Sequence, residues 1–475
     1  MELRLPENAD VRELLSAHLD VRSGPATRGV TTFYDTFDGR LHAEGVTLRH
    51  ADGRLALLDR ETGAELAGAP GPAPRRLFDD ELPEPLRQRL ADVIEMRALL
   101  PVARLQGERQ SFAVLNEDAK TVVRLSAEHG RLIATPVRGY EAELARVHAA
   151  LGLEPATVPL VDEAIAADGG DPAGTSSKLA LTLDAAQPAT EAAARVFARL
   201  LEVIDLNLPG TLDDIDTEFL HDLRVAVRRT RSLQRQFKAL YPARLQRFRD
   251  EFKRLQAETG DLRDLDVYLL DFPALRASLP EKMQGDLDPL RAVLERRRAK
   301  ALRNTRRALQ DPRTGDALAD WDAFISAQPP SPQTVKELAS KRITKVYKKM
   351  VKLGRAIDDG SPAEDLHELR KVGKELRYLL EFFASLYPAE VVKPFVKTLK
   401  GLQDQLGRFQ DREVQANALR ELAPTVQAHP ATVMAMGVLV ERFMQEEIAA
   451  RAEFAERFES FASQAQRAVV KEHFA

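Results

Sequence analysis

A long internal repeat constrains this sequence more than any other feature. His221-Asp222-Leu223-Arg224 returns 146 residues later as His367-Glu368-Leu369-Arg370. At the same offset Arg228 matches Lys374, Arg231 matches Arg377, Leu233 matches Leu379, Phe237 matches Phe383, and Tyr241-Pro242 matches Tyr387-Pro388. After one inserted residue the register continues at an offset of 147: Phe248 matches Phe395, Lys253 matches Lys400, Gly260 matches Gly407, Asp264 matches Asp411, and Val267 matches Val414. So many matches at so constant an offset mark a duplicated structural unit.

Apolar residues recur with helical period from about residue 188 onward, and strand signals vanish there. Each copy is therefore expected to be helical. A Pro- and Ser-rich loop at 327–333 separates copy one (180–326) from copy two (334–475). Gly260 and Gly407 each sit where a helix is expected to stop and restart, with the neighbouring Asp residues capping or pairing with Arg. Upstream, residues 166–179 are small, polar and glycine-rich, the composition of a linker. Residues 1–165 read differently. Strand-length runs at 29–34, 46–50, 55–59, 111–115, 121–126 and 131–136 are separated by turn signals such as Asp52-Gly53 and His129-Gly130. Short amphipathic helices are expected at 8–19, 82–99 and 140–151. The fold expected is α+β and multidomain, an antiparallel sheet, open or closed into a barrel, followed by an all-α half.

Charge divides the chain at the same place. Residues 1–175 carry a net charge of −9 and residues 176–475 a net charge of +5. In copy one, Arg224, Arg228, Arg231 and Arg235 fall within roughly 80° on a helical wheel, headed by His221. Leu223, Ala226, Val227, Leu233 and Phe237 form the adjacent apolar stripe. Copy two repeats the plan, with His367, Arg370, Lys374 and Arg377 on one face and Leu369, Val372, Leu376, Leu379 and Phe383 on the other. Like charges three and four residues apart repel along a helix. Two matched rows of this kind call for an anion between them. The bland alternative is a solvated face whose arginines pair with acids on neighbouring helices. Arg229, Lys371, Lys253, Arg254 and Lys400 lie on the same or the next helix and are candidates to join the rows.

Several function classes are excluded. The chain has no cysteine, so disulfides, thiolate metal sites and thiol nucleophiles are absent. Neither His221 nor His367 has metal-ligand spacing to other ligands. No catalytic residue, metal or cofactor is therefore assigned. Aromatic residues for base stacking are few in the basic rows, so nucleic acid is not the expected partner. No segment has the length and apolarity of a membrane span, and the start lacks a signal-peptide pattern. A cytoplasmic location is expected.

The two copies, each led by His-x-x-Arg, with Arg228-Arg229-Thr230-Arg231 in the first and Lys374 to Tyr378 in the second, resemble the CHAD domain, the conserved histidine α-helical domain. The resemblance covers about 180–475. It implies two pseudo-symmetric four-helix bundles that bind inorganic polyphosphate in a basic groove between them, without catalysis, and suggests association with polyphosphate granules. Residues 1–165 are similar, more weakly, to the CYTH domain, a triphosphate tunnel, through Phe33-Tyr34-Asp35-Thr36-Phe37-Asp38, Gly45 to Arg49 and Pro101 to Arg109. That resemblance implies a tunnel in which Arg4, Arg49, Arg104, Arg109 and Arg124 would hold phosphate; the alternative is that these arginines are surface residues. The family's metal-binding carboxylates are mostly missing: Glu2 and Arg4 match the second Glu and the Lys of its Glu-x-Glu-x-Lys start, and 133–137 carries no acid. The alternative function, a metal-dependent triphosphatase, thus lacks most of its ligands.

Overall fold

The computed structural model describes residues 1–179, 181–238, 240–241, 245–327, 329–358, 360–427 and 429–474. Pro242 of the repeated Tyr-Pro pair, Gln328 of the inter-copy loop, and the boundary residues Ala180 and Ala475 lie outside them. The chain separates into two units, residues 1–177 and 178–475.

The first unit is an eight-stranded antiparallel sheet curled into half a barrel. Its strands are β1 (Glu2–Arg4), β2 (Val21–Thr36), β3 (Val46–Ala51), β4 (Arg54–Asp59), β5 (Glu65–Pro70), β6 (Leu99–Leu115), β7 (Thr121–Glu128) and β8 (Arg131–Pro136), in the order β1-β8-β7-β6-β2-β3-β4-β5. Both turn signals hold. Asp52 and Gly53, and His129 and Gly130, all take positive φ in two-residue hairpin loops. The sheet does not close, and β1 and β5 are its two edges. Residues 154–156 cover the free edge of β1, with the Arg4 amide donating to the Glu154 carbonyl (2.8 Å) and the Ala156 amide to the Glu2 carbonyl (3.0 Å). Helices α1 (Val11–Ser16), α2 (Arg40–Ala43) and α3 (Glu84–Ile94) connect strands, and α4 (Glu143–Leu151) follows β8. Helix α5 (Leu160–Ala167) packs Val161, Ala164 and Ile165 against Phe33 and Ala103 on one sheet face. Beyond α5, the expected linker is partly tied down, its Thr175 amide donating to the Phe37 carbonyl (2.9 Å).

The second unit is helical. Copy one contains α6 (Ala189–Asp213), α7 (Thr217–Gln236), α8 (Leu245–Glu258), α9 (Gly260–Ala277), α10 (Asp288–Gln310) and α11 (Pro312–Ser326). Copy two contains α12 (Val335–Gly354), α13 (Ala363–Phe382), α14 (Ala389–Leu422), α15 (Pro430–Ala452), α16 (Phe454–Phe461) and α17 (Gln464–His473). The apolar faces of the two copies merge. One core cluster runs from Phe197 and Trp321 of copy one to Phe395 and Phe461 of copy two. A second joins α9 and α10 to α14 and α15. Trp321 is fully buried, with the Phe197 and Phe248 rings 4.9 and 5.0 Å from it.

The expected helix stop at the repeated glycines appears in one copy only. In copy one, Thr259 interrupts the helix between α8 and α9, its hydroxyl bonding back to the Leu255 carbonyl at 2.8 Å. The matching position in copy two is Leu406, which has no competing hydroxyl, and α14 continues through Gly407 as one 34-residue helix. Among the described residues no helix is long and apolar enough to cross a membrane.

Candidate anion-binding site

Helix α7 starts cleanly because the Asp216 side chain accepts hydrogen bonds from the Glu218 and Phe219 amides. Its Leu223, Ala226, Val227 and Leu233 are buried, as are Leu369, Val372, Leu376 and Leu379 of α13. The apolar stripes thus turn both helices into the core and leave their basic rows beside one another.

Equivalent residues of the two copies meet here. The rings of Phe237 and Phe383, one offset apart, lie edge to face at 6.0 Å. Arg229 pairs with Glu381 at 2.9 Å, and Arg235 with Glu375 at 3.1 Å. Under the repeat, position 229 corresponds to 375 and 235 to 381. The two ion pairs are therefore one contact drawn twice across a pseudo-twofold axis, with both cations in copy one and both anions in copy two. Further along, the Tyr268 hydroxyl of α9 donates to the carbonyl of Gln415, again its own equivalent, at 3.4 Å. This is the pattern of an isologous dimer interface inside one chain.

The basic side chains sort into three groups. Arg229, Arg235 and Arg377 are compensated: Arg377 lies 3.3 Å from Glu381, and the guanidinium groups of Arg229 and Arg377 sit 5.8 and 5.7 Å from the Tyr378 ring centroid. Arg224 and Arg370 form the second group. Arg224 donates to the Gln256 carbonyl (2.8 Å) and the Thr259 hydroxyl (2.7 Å) freed by the helix break, while Arg370 lies 3.4 Å from Asp411. A Cβ on Gly260 would sit 3.8 Å from the Arg224 guanidinium, and one on Gly407 3.9 Å from that of Arg370. The repeated Gly-x-x-x-Asp thus seats the repeated Arg. Burial raises the pKa of Asp264 and lowers that of Arg224, each partly offset by the other's charge.

The third group is uncompensated. Arg228, Arg231 and Lys374 have no ion pair among the described residues, and the Arg228 Nε is buried without a hydrogen-bond partner. Burial lowers the pKa of Arg231, and the nearby Arg235 and Arg249 add to the effect. Lys374 is pushed down to about 8, first by burial and then by the charges of Arg370 and of Arg228, its own equivalent in copy one. Equivalent cations from two copies are held close enough to repel one another.

The remaining expected residues are spread more widely. His367 bonds through Nδ1 to Gln410, and half-buried His221 also has a partner. Lys253 and Lys400 are exposed on α8 and α14. Lys371 is exposed, 3.5 Å from Glu368, and Arg254 is used internally, bonded to Glu251 (3.0 Å) and the Thr314 hydroxyl (2.9 Å). Sequence reasoning missed Glu375 and Glu381. Their signal was present as acids at the positions where the other copy has Arg229 and Arg235.

Residues 195–420 match the CHAD domain profile. These residues form a CHAD domain. The crystal structure of the CHAD domain from the plant Ricinus communis is similar at 27% identity and a TM-score of 0.52, covering 59% of this chain and 95% of that one. PptA from Streptomyces chartreusis is similar at 20% identity and a TM-score of 0.47, over 57% of this chain and 99% of that one. No curated protein matches the chain. The CHAD domain thus contains α7, α13 and the whole basic site.

The first unit holds a second group of arginines, around a cavity of about 730 Å³ lined by Glu2, Arg49, Arg60 and Arg131 among others. Here α5 supplies the counter-charge. Its Asp162 pairs with Arg60, and its Glu163 with Arg131 (2.7 Å) and Arg4 (2.6 Å), while Arg131 also reaches Glu2 at 3.0 Å. Of the five expected tunnel cations, Arg49 lines this cavity, whereas Arg4 is exposed outside its lining, tied to Glu163. Arg109 is held between Asp52 and Glu128. Arg124 is exposed. Strand register pairs Phe33 with Arg49 and Thr32 with Arg104, which puts Arg104 on the opposite face of the sheet from Arg49. Arg60 and Arg131 were not anticipated. Among the described residues no group of three or more His, Asp or Glu side chains is placed to hold a metal ion.

Proposed function

We propose that the second unit binds inorganic polyphosphate between α7 and α13. The observation that carries this reading is the pairing of Arg228 with its equivalent Lys374. Both are part-buried, neither has an acid partner among the described residues, and Lys374 is pushed down to about 8. Such an arrangement is unfavourable empty and becomes favourable when an anion enters. Arg370, Arg231 and Arg224 extend the cationic track on either side. A chain of phosphates, with about one charge per unit, suits a track of cations on rigid helices better than a compact anion does. The CHAD domain match and the resemblance of the paired His-x-x-Arg helices support the same ligand. The protein is a binder in this reading, acting by charge and shape without chemistry.

The test is binding of long-chain polyphosphate to the full chain and to an Arg228→Ala, Lys374→Ala variant. Affinity of the wild type falls steeply with salt, linearly on a log–log plot, and the variant binds at least about a hundredfold more weakly, as two lost charged contacts of about 1.5–3 kcal/mol each require. Salt-insensitive binding, or a variant that binds as well as wild type, overturns the reading.

A further inference from the structure

The first helices of the two copies differ sharply in charge. Helix α6 of copy one carries two basic and four acidic residues, whereas α12 of copy two carries seven basic residues and one acid. Both helices do the same structural job, packing against α7 and α13 respectively. Since copy one folds without these lysines, the fold does not require them in copy two.

Their placement is ordered. Lys341, Lys345, Lys348 and Lys352 are spaced i, i+4, i+7 and i+11, so they fall within about 60° of one another and span roughly 16 Å. All four are exposed, and among the described residues none has an acid partner. The row points away from the core, where Ile343, Val346, Tyr347 and Met350 are buried. It is not a bare convex face. Lys341, Lys345 and Lys348 line one wall of a groove of about 790 Å³ whose other wall includes His473 and Phe474. The acid lining that groove is Glu337, which is already engaged in the capping box of α12 with Thr334. On the opposite side, Lys349 lies 3.8 Å from Glu368, which also reaches Lys371 of α13 at 3.5 Å.

We propose that α12 carries a second polyanion-holding surface, which takes the stretch of a long inorganic polyphosphate chain that extends beyond the α7–α13 site. The proposal rests on the polyphosphate reading of that central site. Its chemistry is complementary: lysines are point charges on flexible stems, suited to a mobile phosphate chain, while the arginine forks of α7 and α13 suit fixed contacts. The consequence is a chain-length preference. Short oligophosphates occupy the central site alone, and long chains use both surfaces with the gain in affinity of a linked second contact.

The experiment uses the full chain carrying Lys341→Gln, Lys345→Gln, Lys348→Gln and Lys352→Gln, titrated with tripolyphosphate and with long-chain polyphosphate, beside the Arg228→Ala, Lys374→Ala variant. Thermal melting checks that each variant is folded. The quadruple variant is expected to bind long chains about tenfold or more weakly and tripolyphosphate within about twofold of wild type. Its salt slope for long chains falls by about three, since each lost phosphate contact removes roughly 0.7–0.9 of a counterion. Unchanged long-chain binding overturns the second surface, as does an equal loss for both ligands. Loss in the quadruple variant with none in the Arg228, Lys374 variant overturns the central site and leaves the lysine row as the anion site. Loss of duplex DNA binding with polyphosphate binding intact assigns the row to nucleic acid and overturns the proposal.

Discussion

At the scale of single residues, Lys374 separates function from stability. Its ammonium is disfavoured in the folded protein, with the pKa at about 8 against an ordinary value of 10.5. A basic group depressed on folding destabilises the native state below its folded pKa, and that penalty fades as pH rises towards the unfolded value. Stability of the free protein therefore gains from this group between about pH 8 and 10.5. Bound polyphosphate restores the proton, so affinity falls as pH climbs through the same window and binding takes up protons near pH 9. Calorimetric titrations in buffers of different ionisation enthalpy read that uptake directly. Lys374→Arg, whose guanidinium stays charged, is expected to abolish it; uptake that survives this change assigns the proton to another group. Lys374→Met is expected to stabilise the protein by about 0.5–2 kcal/mol while weakening polyphosphate binding roughly tenfold, the effect of losing one charged contact. A variant that is both less stable and equally tight would make Lys374 a structural residue.

Among elements, the meeting of α7 and α13 is where the sequence was most and least informative. The repeat with its aligned basic rows was plain in the chain, since helical period and constant offset need only local information. What the rows touch was not, because ion pairing across a pseudo-twofold axis depends on which positions approach each other. Arg229 and Arg377 belong to the basic pattern yet are spent on Glu381, whereas Arg228, one residue from Arg229, is left uncompensated. The helix break misled for a similar reason: the glycines match, but Thr259 against Leu406 decides whether the helix continues. In the first unit β5, reading Glu-Leu-Ala-Gly-Ala-Pro, has no β-branched residue and gives no strand signal. The ion pairs supply a prediction opposite in sign to the one for Lys374. Glu381→Gln leaves Arg229 and Arg377 without their shared carboxylate, and stability is expected to fall by about 1–3 kcal/mol. The same change adds net positive charge beside the site, so polyphosphate affinity is expected to hold or rise. Urea denaturation and a binding titration on one preparation check both halves; if binding falls along with stability, α7 and α13 depend on this pair for their alignment.

On the scale of the whole molecule, two units of opposite net charge share one chain, and each surrounds its arginines differently. In the second unit Arg228, Arg231 and Lys374 stay open to an incoming anion. In the first unit, helix α5 brings Asp162 and Glu163 to Arg60, Arg131 and Arg4, and buries Val161, Ala164 and Ile165 on the same sheet face. The apolar contact anchors the helix, and the carboxylates take the places that phosphate oxygens would use. Hydrolysis of triphosphate needs several converging carboxylates to hold a metal across the phosphate oxygens. Of the acids beside these arginines, Glu2, Asp162 and Glu163 are already committed to Arg131, Arg60 and Arg4. The full chain is therefore expected to release phosphate from tripolyphosphate and ATP well below about 1 s⁻¹ with Mg²⁺ or Mn²⁺, under the ordinary enzyme range. Replacing Asp162 and Glu163 by Asn and Gln removes the counter-charge while the apolar side of α5 stays in place. If the carboxylates are what close the cavity to anions, that variant gains tripolyphosphate binding even after Arg228→Ala and Lys374→Ala have weakened the second unit, and still shows no turnover. Turnover lost on chelation, in either form of the protein, would instead make the first unit a metal-dependent phosphohydrolase whose ligands come from outside the set described.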